Sequence, residues 1–307
     1  MLLKAVITGA SGMIGSNLIK VLLKENFEVV AIVRPNSKKK DNIPKDKNVK
    51  IVECDLSNLN SLSFKLTNCD MFFHFGWSGT FGSTRDDVYR QLNNIQYTLD
   101  AVRLAKSIGC TSFVGAGSQA EYGFSDEKLS SNTSTNPVTG YGIAKYAAGK
   151  LSRILANELG IKHCWTRILS VYGPGDNENT MISSCIGSIL NDKPFDTTKG
   201  DQLWDYIYSE DCARAFYLIA KNGINNQVYP IGSGKAIPLK EYIKTIKDSI
   251  NPEFNIGFGN RDYSPNQVMH LCADISNLTE DTGFKPETNF KEGIKKTIEW
   301  VKIKDME

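Results

Sequence analysis

The sequence predicts an α/β fold: a doubly wound parallel sheet with helices on both faces, joined to a smaller C-terminal part. Three observations lead there. Short, branched apolar runs alternate with segments of helical period from the N-terminus to Tyr172. The first run leads directly into three glycines, Gly9, Gly12 and Gly15, in "AVITGASGMIGSNL", and then into a helical pattern. Beyond Tyr172, prolines and glycines break the rhythm, as in "YGPGDNENT" and "YPIGSGKAIP". Strands alternating with helices imply crossover connections, and so a parallel sheet buried on both faces.

Each element follows from its pattern. Leu3–Ile7 is a buried strand. Over Met13–Lys24, Ile14, Leu18, Val21 and Leu22 fall at helical spacing. Val29–Val33 and Val49–Val52 are the second and third strands, Leu56–Leu66 a short helix, and Met71–Phe75 the fourth strand. Asp87–Ile108 is a long helix with Leu92, Ile95, Leu99 and Val102 on one side. Ser112–Gly115 makes the fifth strand, Phe124–Thr139 a polar surface loop, Tyr141–Leu159 another long helix and Ile161–Leu169 the sixth strand. Shorter helices are expected at Glu210–Ala220, Leu239–Ile250 and Phe290–Lys302, with no internal repeat.

Composition narrows the function. A chain of 307 residues can bury a sizeable core, and a formal net charge of +2 gives no field that would draw nucleic acid or an acidic membrane. The seven cysteines are scattered without CxxC spacing, and the three histidines lie apart. That argues against a disulfide framework or a metal site and fits a reducing compartment. The opening "MLLKAVITG" is too short for a signal peptide, and no run reaches membrane-spanning length. The expectation is a soluble cytoplasmic protein.

In such sheets ligands bind beyond the carboxyl ends of the strands, so chemistry is sought there. Gly9, Gly12 and Gly15, with Ser11, Met13 and Ile14 between them, sit where a strand meets a helix N-terminus. Two readings are open: a tight turn, or bare backbone against the pyrophosphate of a dinucleotide. The second makes this a Rossmann-type domain. Arg34 ends the second strand, where an acid would bind a ribose hydroxyl; a guanidinium there suits a 2'-phosphate and favours NADP(H) over NAD(H). Ser37 and Lys38 are placed to help, and Lys39 and Lys40 read as a solvated loop. After the third strand, Asp55 precedes Leu56 and can cap the helix that follows. Gly76, after the fourth strand, lets the backbone pass close to a cofactor. Tyr141 and Lys145, four apart in "YGIAK", share one helix face. An ammonium near a phenol favours phenolate and makes tyrosine usable as acid or base. Ser118, at the end of the fifth strand, offers a hydroxyl to a substrate carbonyl.

The stretches "TGASGMIG", "CDL", "NNIQYTL", "GSQAEYG", "YGIAK", "RILSVYGPG" and "WDYIYSEDCARAF" cover most of the chain. Through them the sequence resembles the extended short-chain dehydrogenase/reductases, the NAD-dependent epimerase/dehydratase family acting on nucleotide sugars. The resemblance implies hydride transfer between nicotinamide and a sugar carbon. It makes Tyr141 the acid or base, Lys145 the partner of the nicotinamide ribose, and Ser118 the group that polarises the sugar oxygen. Asp55 would bind adenine, and Asn94 would hold the active-site helix and a water. Gln119, Ser170 and Asn177 would meet the nucleotide sugar; Arg261 is either a diphosphate partner or a surface arginine. Residues 1–172 would form the dinucleotide-binding domain, with 204–222 returning to it, and 173–307 mainly the substrate part. The two long helices would pair in a homodimer. His74 and Trp77 in "HFGWSGT" depart from the family's usual alanines.

The reaction is less sharply marked. Family dehydratases carry an Asp-Glu pair after the hydroxyl residue; here Gln119 and Ala120 follow Ser118, and Glu121, on a strand-like segment, would point elsewhere. Family epimerases hold NAD with an acid after the second strand, which Arg34 is not. The wording is most similar to reductases of nucleotide-linked 4-keto-6-deoxyhexoses, CDP-abequose synthases among them, which serve surface polysaccharide. The alternatives are an NAD-dependent 4-epimerase and, from another class, a non-catalytic dinucleotide sensor.

Overall fold

A computed structural model describes residues 2–304. The first half runs β1 (Lys4–Thr8), α1 (Met13–Lys24), β2 (Glu28–Val33), β3 (Val49–Glu53), β4 (Met71–His74), α2 (Val88–Ser107), β5 (Ser112–Ser118), α3 (Gly140–Glu158) and β6 (Lys162–Ile168). The second half runs β7 (Ser170–Tyr172), α4 (Met181–Leu190), β8 (Phe195–Thr197), β9 (Leu203–Trp204), β10 (Tyr206–Tyr208), α5 (Ser209–Asn222), β11 (Val228–Ile231), β12 (Ile237–Pro238), α6 (Leu239–Ile250), β13 (Ile256–Phe258), β14 (His270–Leu271), α7 (Ser276–Thr282) and α8 (Phe290–Lys304).

Seven strands form one parallel sheet in the order β11-β6-β5-β4-β1-β2-β3. Because strand side chains alternate, neighbours in β1 serve opposite faces. Ile7 packs with Leu18 and Leu22 of α1 and Phe216 of α5, whereas Val6 packs with Val102 and Ala105 of α2 and Phe113 of β5. Each such fully buried side chain stabilises the sheet by about 2 kcal/mol. The long helices start where side chains cap them: Asp87 accepts the Arg90 amide at 3.1 Å, and Thr139 the Gly142 amide at 3.1 Å.

Three elements differ from the sequence expectation. The helix over Leu56–Leu66 is a 3-10 segment confined to Leu56–Leu62, opened by Asp55. β5 continues to Ser118, paired with β6 throughout. Its glycines shorten the apparent strand, yet a Cβ at Gly115 or Gly117 would run into the Trp165 side chain. Val228–Ile231, in the punctuated stretch, is the seventh strand. Its Pro230 is tolerated because β11 is an edge strand bonded to β6 alone.

The rest of the second half has a core of its own, with Ile182 and Ile186 of α4, Tyr242 and Ile246 of α6 and Ile294 of α8 around Tyr172 and Tyr208. Two aspartates of "WDYIYSED" hold it together. Buried Asp205 accepts the amides of Ser233, Gly234 and Ala273, at 2.8, 3.1 and 3.0 Å. Asp211 accepts those of Glu287 and Thr288. All seven cysteines are free and buried. Among the described residues no helix is long and apolar enough to cross a membrane, and no cluster of three His, Cys, Asp or Glu is placed to hold a metal.

Candidate active site

The glycine loop answers to two demands. Gly9 has φ +67°, and a Cβ there would lie 2.9 Å from the Gly76 amide nitrogen. Gly15 faces the Gly9 carbonyl and the Ala10 backbone, which a Cβ would meet at 2.6 and 2.9 Å. The turn itself therefore requires these two. Gly12 is different. Its φ −75° and ψ 166° suit any residue, and a Cβ would meet only the Gly9 carbonyl oxygen, at 3.3 Å. No side chain caps α1, and its first turn carries no acid. Bare backbone at an uncapped helix start is a cradle for a phosphate, so Ser11, Gly12, Met13 and Ile14 fit a dinucleotide. Asn42 folds the loop after β2 back onto this cradle, donating to the Ser11 carbonyl at 3.1 Å. From the other side Gly175, at φ +89°, brings the loop after β7 against Met13.

Around the cradle, Arg34 is exposed, and among the described residues it pairs with no carboxylate. Lys40, read as solvated, instead pairs with Glu53 at the end of β3. Asp55 takes the amide and hydroxyl of Ser57 on one oxygen, so its capping role is realised. Gly76 lies against Leu56 and donates its amide to the Thr8 hydroxyl at 3.2 Å. That hydroxyl meets His74 Nδ1 at 2.8 Å, and His74 Nε2 meets the Thr98 hydroxyl at 3.4 Å. Burial, with Lys145 nearby, drops the His74 imidazole to about 3. The departure at His74 is thus a neutral brace between β1, β4 and α2.

Ser118, Tyr141 and Lys145 converge at the carboxyl end of β5. Lys145 is buried; its ammonium donates to the Ala116 carbonyl at 2.5 Å and lies 3.6 Å from the centre of the Trp77 ring. Burial brings it down to about 7, against the pull of the Glu121 carboxylate. The Tyr141 phenol is pushed up by burial, while the Ser118 hydroxyl and the Arg85 guanidinium pull it down. The expected Lys145–Tyr141 proximity is loose, with the ammonium 5.8 Å from the ring centre. Arg85 stacks on that ring at 4.3 Å.

Asn94 is tied to the loop after β4. Its side chain clamps Ser78, accepting the amide at 2.9 Å and donating to the carbonyl at 2.8 Å. Gln91, one turn earlier, accepts the Trp77 indole N–H at 2.9 Å and donates to the carbonyls of Gly79 and Thr84. Together they fix the loop that carries Trp77 and Arg85. Glu121 lies in a 3-10 turn, not a strand, and its carboxylate turns back onto β5 and β6. It accepts the Ser118 amide and the Trp165 indole, and it pairs with Arg167 at 3.0 Å. Gln119 is half-buried at the start of that turn.

The outlying substrate residues are less committed. The Ser170 hydroxyl accepts the Trp204 indole at 2.8 Å, Asn177 caps its own turn through the Asn179 amide, and Arg261 is exposed. Among the described residues none of the three bonds to Ser118, Tyr141 or Lys145. Asp176, missed in the sequence, accepts the Thr180 hydroxyl, and burial raises its carboxyl to about 6.

The profile of the NAD dependent epimerase/dehydratase family matches residues 5–232. The chain belongs to that family. Similar members include a putative UDP-glucose 4-epimerase of Methanocaldococcus jannaschii, 29% identical over 97% of this chain and 98% of its own. Another is a CDP-abequose synthase of Salmonella typhimurium, 27% identical over 95% and 96%. Among solved structures, a UDP-N-acetylglucosamine 4-epimerase of Methanobrevibacter ruminantium superposes with a TM-score of 0.89 at 25% identity, covering 99% of this chain and 100% of that one. Relatives named as epimerases and as CDP-abequose synthases thus match this chain nearly end to end.

Proposed function

We propose that the protein reduces the C4 keto group of a nucleotide-linked 4-keto-6-deoxyhexose with NADPH, in the cytoplasm, for surface polysaccharide. The observation that carries the choice is Arg34: an exposed guanidinium, paired with no carboxylate among the described residues, directly follows β2, where it suits a 2'-phosphate. The absence of an acid pair after Ser118 speaks against dehydration, and the likeness to CDP-abequose synthase supports a reductase. The seven free, buried cysteines suit a reducing compartment.

Gly9, Ser11, Gly12, Met13, Ile14 and Gly15 would hold the pyrophosphate, Asp55, Leu56 and Gly76 the adenosine and ribose, and Lys145 the nicotinamide ribose. When bound, this group supplies the hydride. The chain's own part is the proton: as charge develops on the C4 oxygen, Ser118 donates a hydrogen bond to it and Tyr141 protonates it. Gln119, Ser170, Asn177 and Arg261 would meet the nucleotide sugar.

A second reading, an NAD-dependent 4-epimerase, is favoured by the M. jannaschii relative, which matches nearly end to end. One assay separates them. With a panel of nucleotide-linked 4-keto-6-deoxyhexoses, stoichiometric NADPH oxidation and a reduced C4 by NMR support the reductase. Interconversion of nucleotide hexoses without net oxidation supports the epimerase. On the first reading Arg34→Ala should raise the KM for NADPH about tenfold and leave that for NADH alone. Equal affinity of the wild type for both cofactors would remove the NADP(H) inference.

We also propose a homodimer through α2 and α3. Val88, Tyr89 and Leu92 on one helix and Ile143, Leu151 and Ile154 on the other are exposed. Sedimentation should give about twice the 34.1 kDa chain mass. A monomer at micromolar concentration would refute it.

A further inference from the structure

We infer that Arg85 is the positioning residue that sets the proton affinity of Tyr141, through a guanidinium stacked on the phenol ring. The inference rests on the reading of Tyr141 as the proton donor. The Arg85 guanidinium carbon lies 4.3 Å from the ring centre. A cation on a ring face is attracted by the π-electrons, and more strongly once the ring is a phenolate. Lys145, the cation that the sequence places beside Tyr141, is turned toward Trp77 and the Ala116 carbonyl instead.

Arg85 is held for this task. Its Nη1 donates to the Thr80 carbonyl at 3.3 Å, and among the described residues no carboxylate pairs with it. The next residue, Asp86, accepts the Gly140 amide at 2.7 Å, so the loop is tied to the first turn of the helix that carries Tyr141. Gln91 anchors the same loop at Thr84. The other charged or titratable groups around the phenol are few. Lys145 stands on its own helix, Glu121 beneath Ser118 on the turn after β5, Asp86 at the helix start, and neutral His74 behind Lys145. Arg85 and Glu121 act on the phenol in opposite directions, and the guanidinium is the one in contact with the ring.

The test reads the phenol directly and needs no substrate, so a failed reductase assay leaves it intact. Difluorotyrosine is incorporated at position 141 of the full chain, which brings the titration to pH values where the fold holds, and its midpoint is followed by fluorine NMR. Arg85→Met should raise the midpoint by about one pH unit, and Arg85→Lys should return most of that shift. An unchanged midpoint in Arg85→Met overturns the inference. So does an Arg85→Lys midpoint as high as that of Arg85→Met, which would make packing, not charge, the cause.

Discussion

Tyr141→Phe is expected to lower turnover by about 10²–10⁴-fold while the protein still takes up the dinucleotide. The substitution removes one oxygen and keeps the ring, so the Arg85 stack and the edge contact with Trp77 survive. The cradle at Gly12 and the Lys145 ammonium are untouched. What is lost is the hydroxyl that, on the proposed reading, hands a proton to the C4 oxygen beside Ser118. Stopped-flow hydride transfer and cofactor fluorescence titration check the two halves separately. Turnover that survives in Tyr141→Phe would show that another group is the acid.

Arg167→Met is expected to cost about 3 kcal/mol of stability, the larger of the structural effects. Arg167 and Glu121 are both buried, and the pair is joined at 3.0 Å. Without the guanidinium, Glu121 keeps the Ser118 amide and the Trp165 indole but loses its counter-charge. Burial already raises its carboxyl, and removing Arg167 raises it further. A carboxyl with a raised folded-state pKa binds its proton more tightly folded than unfolded. The deficit is therefore greatest at alkaline pH and shrinks as pH falls toward the unfolded value. Urea midpoints at pH 8 and pH 5.5 test this, and a deficit that grows on acidification would refute it. Since Glu121 also holds the Ser118 amide, catalysis should suffer with stability.

The parts of the fold with a strong period were legible in the sequence. The helix over Met13–Lys24 and that over Leu239–Ile250 have the expected bounds, because apolar spacing defines them. Where the signal is composition, the reading erred. The glycines that seemed to end β5 at Gly115 are there to admit Trp165, a residue about fifty positions away that no local pattern reveals. Pro230 disguised an edge strand in the same way. The proximity of Ser118, Tyr141 and Lys145, the proposed catalytic group, was legible because its members sit at a strand end and on one helix turn. The loop over it was not: Arg85, Asp86 and Gln91 matter through contacts with Tyr141, Gly140 and the Trp77 loop, and only "GTFGSTRDDVYRQ", with its density of polar residues, hinted at a built segment.

The brace at His74 has a direction. The Thr98 hydroxyl gives its proton to the Asn94 carbonyl at 2.9 Å, so its oxygen must receive one from His74 Nε2. The ring is then fixed as the Nε2–H tautomer, with a lone pair on Nδ1 that receives the Thr8 proton. The Thr8 oxygen in turn receives the Gly76 amide proton. Every proton in this file from Gly76 to Asn94 has one place, and a second proton on the imidazole would meet a donor head-on. A histidine in a candidate site is the group usually credited with an inflection near neutral pH. Here it is silent across that range, and an inflection near pH 7 belongs to Lys145.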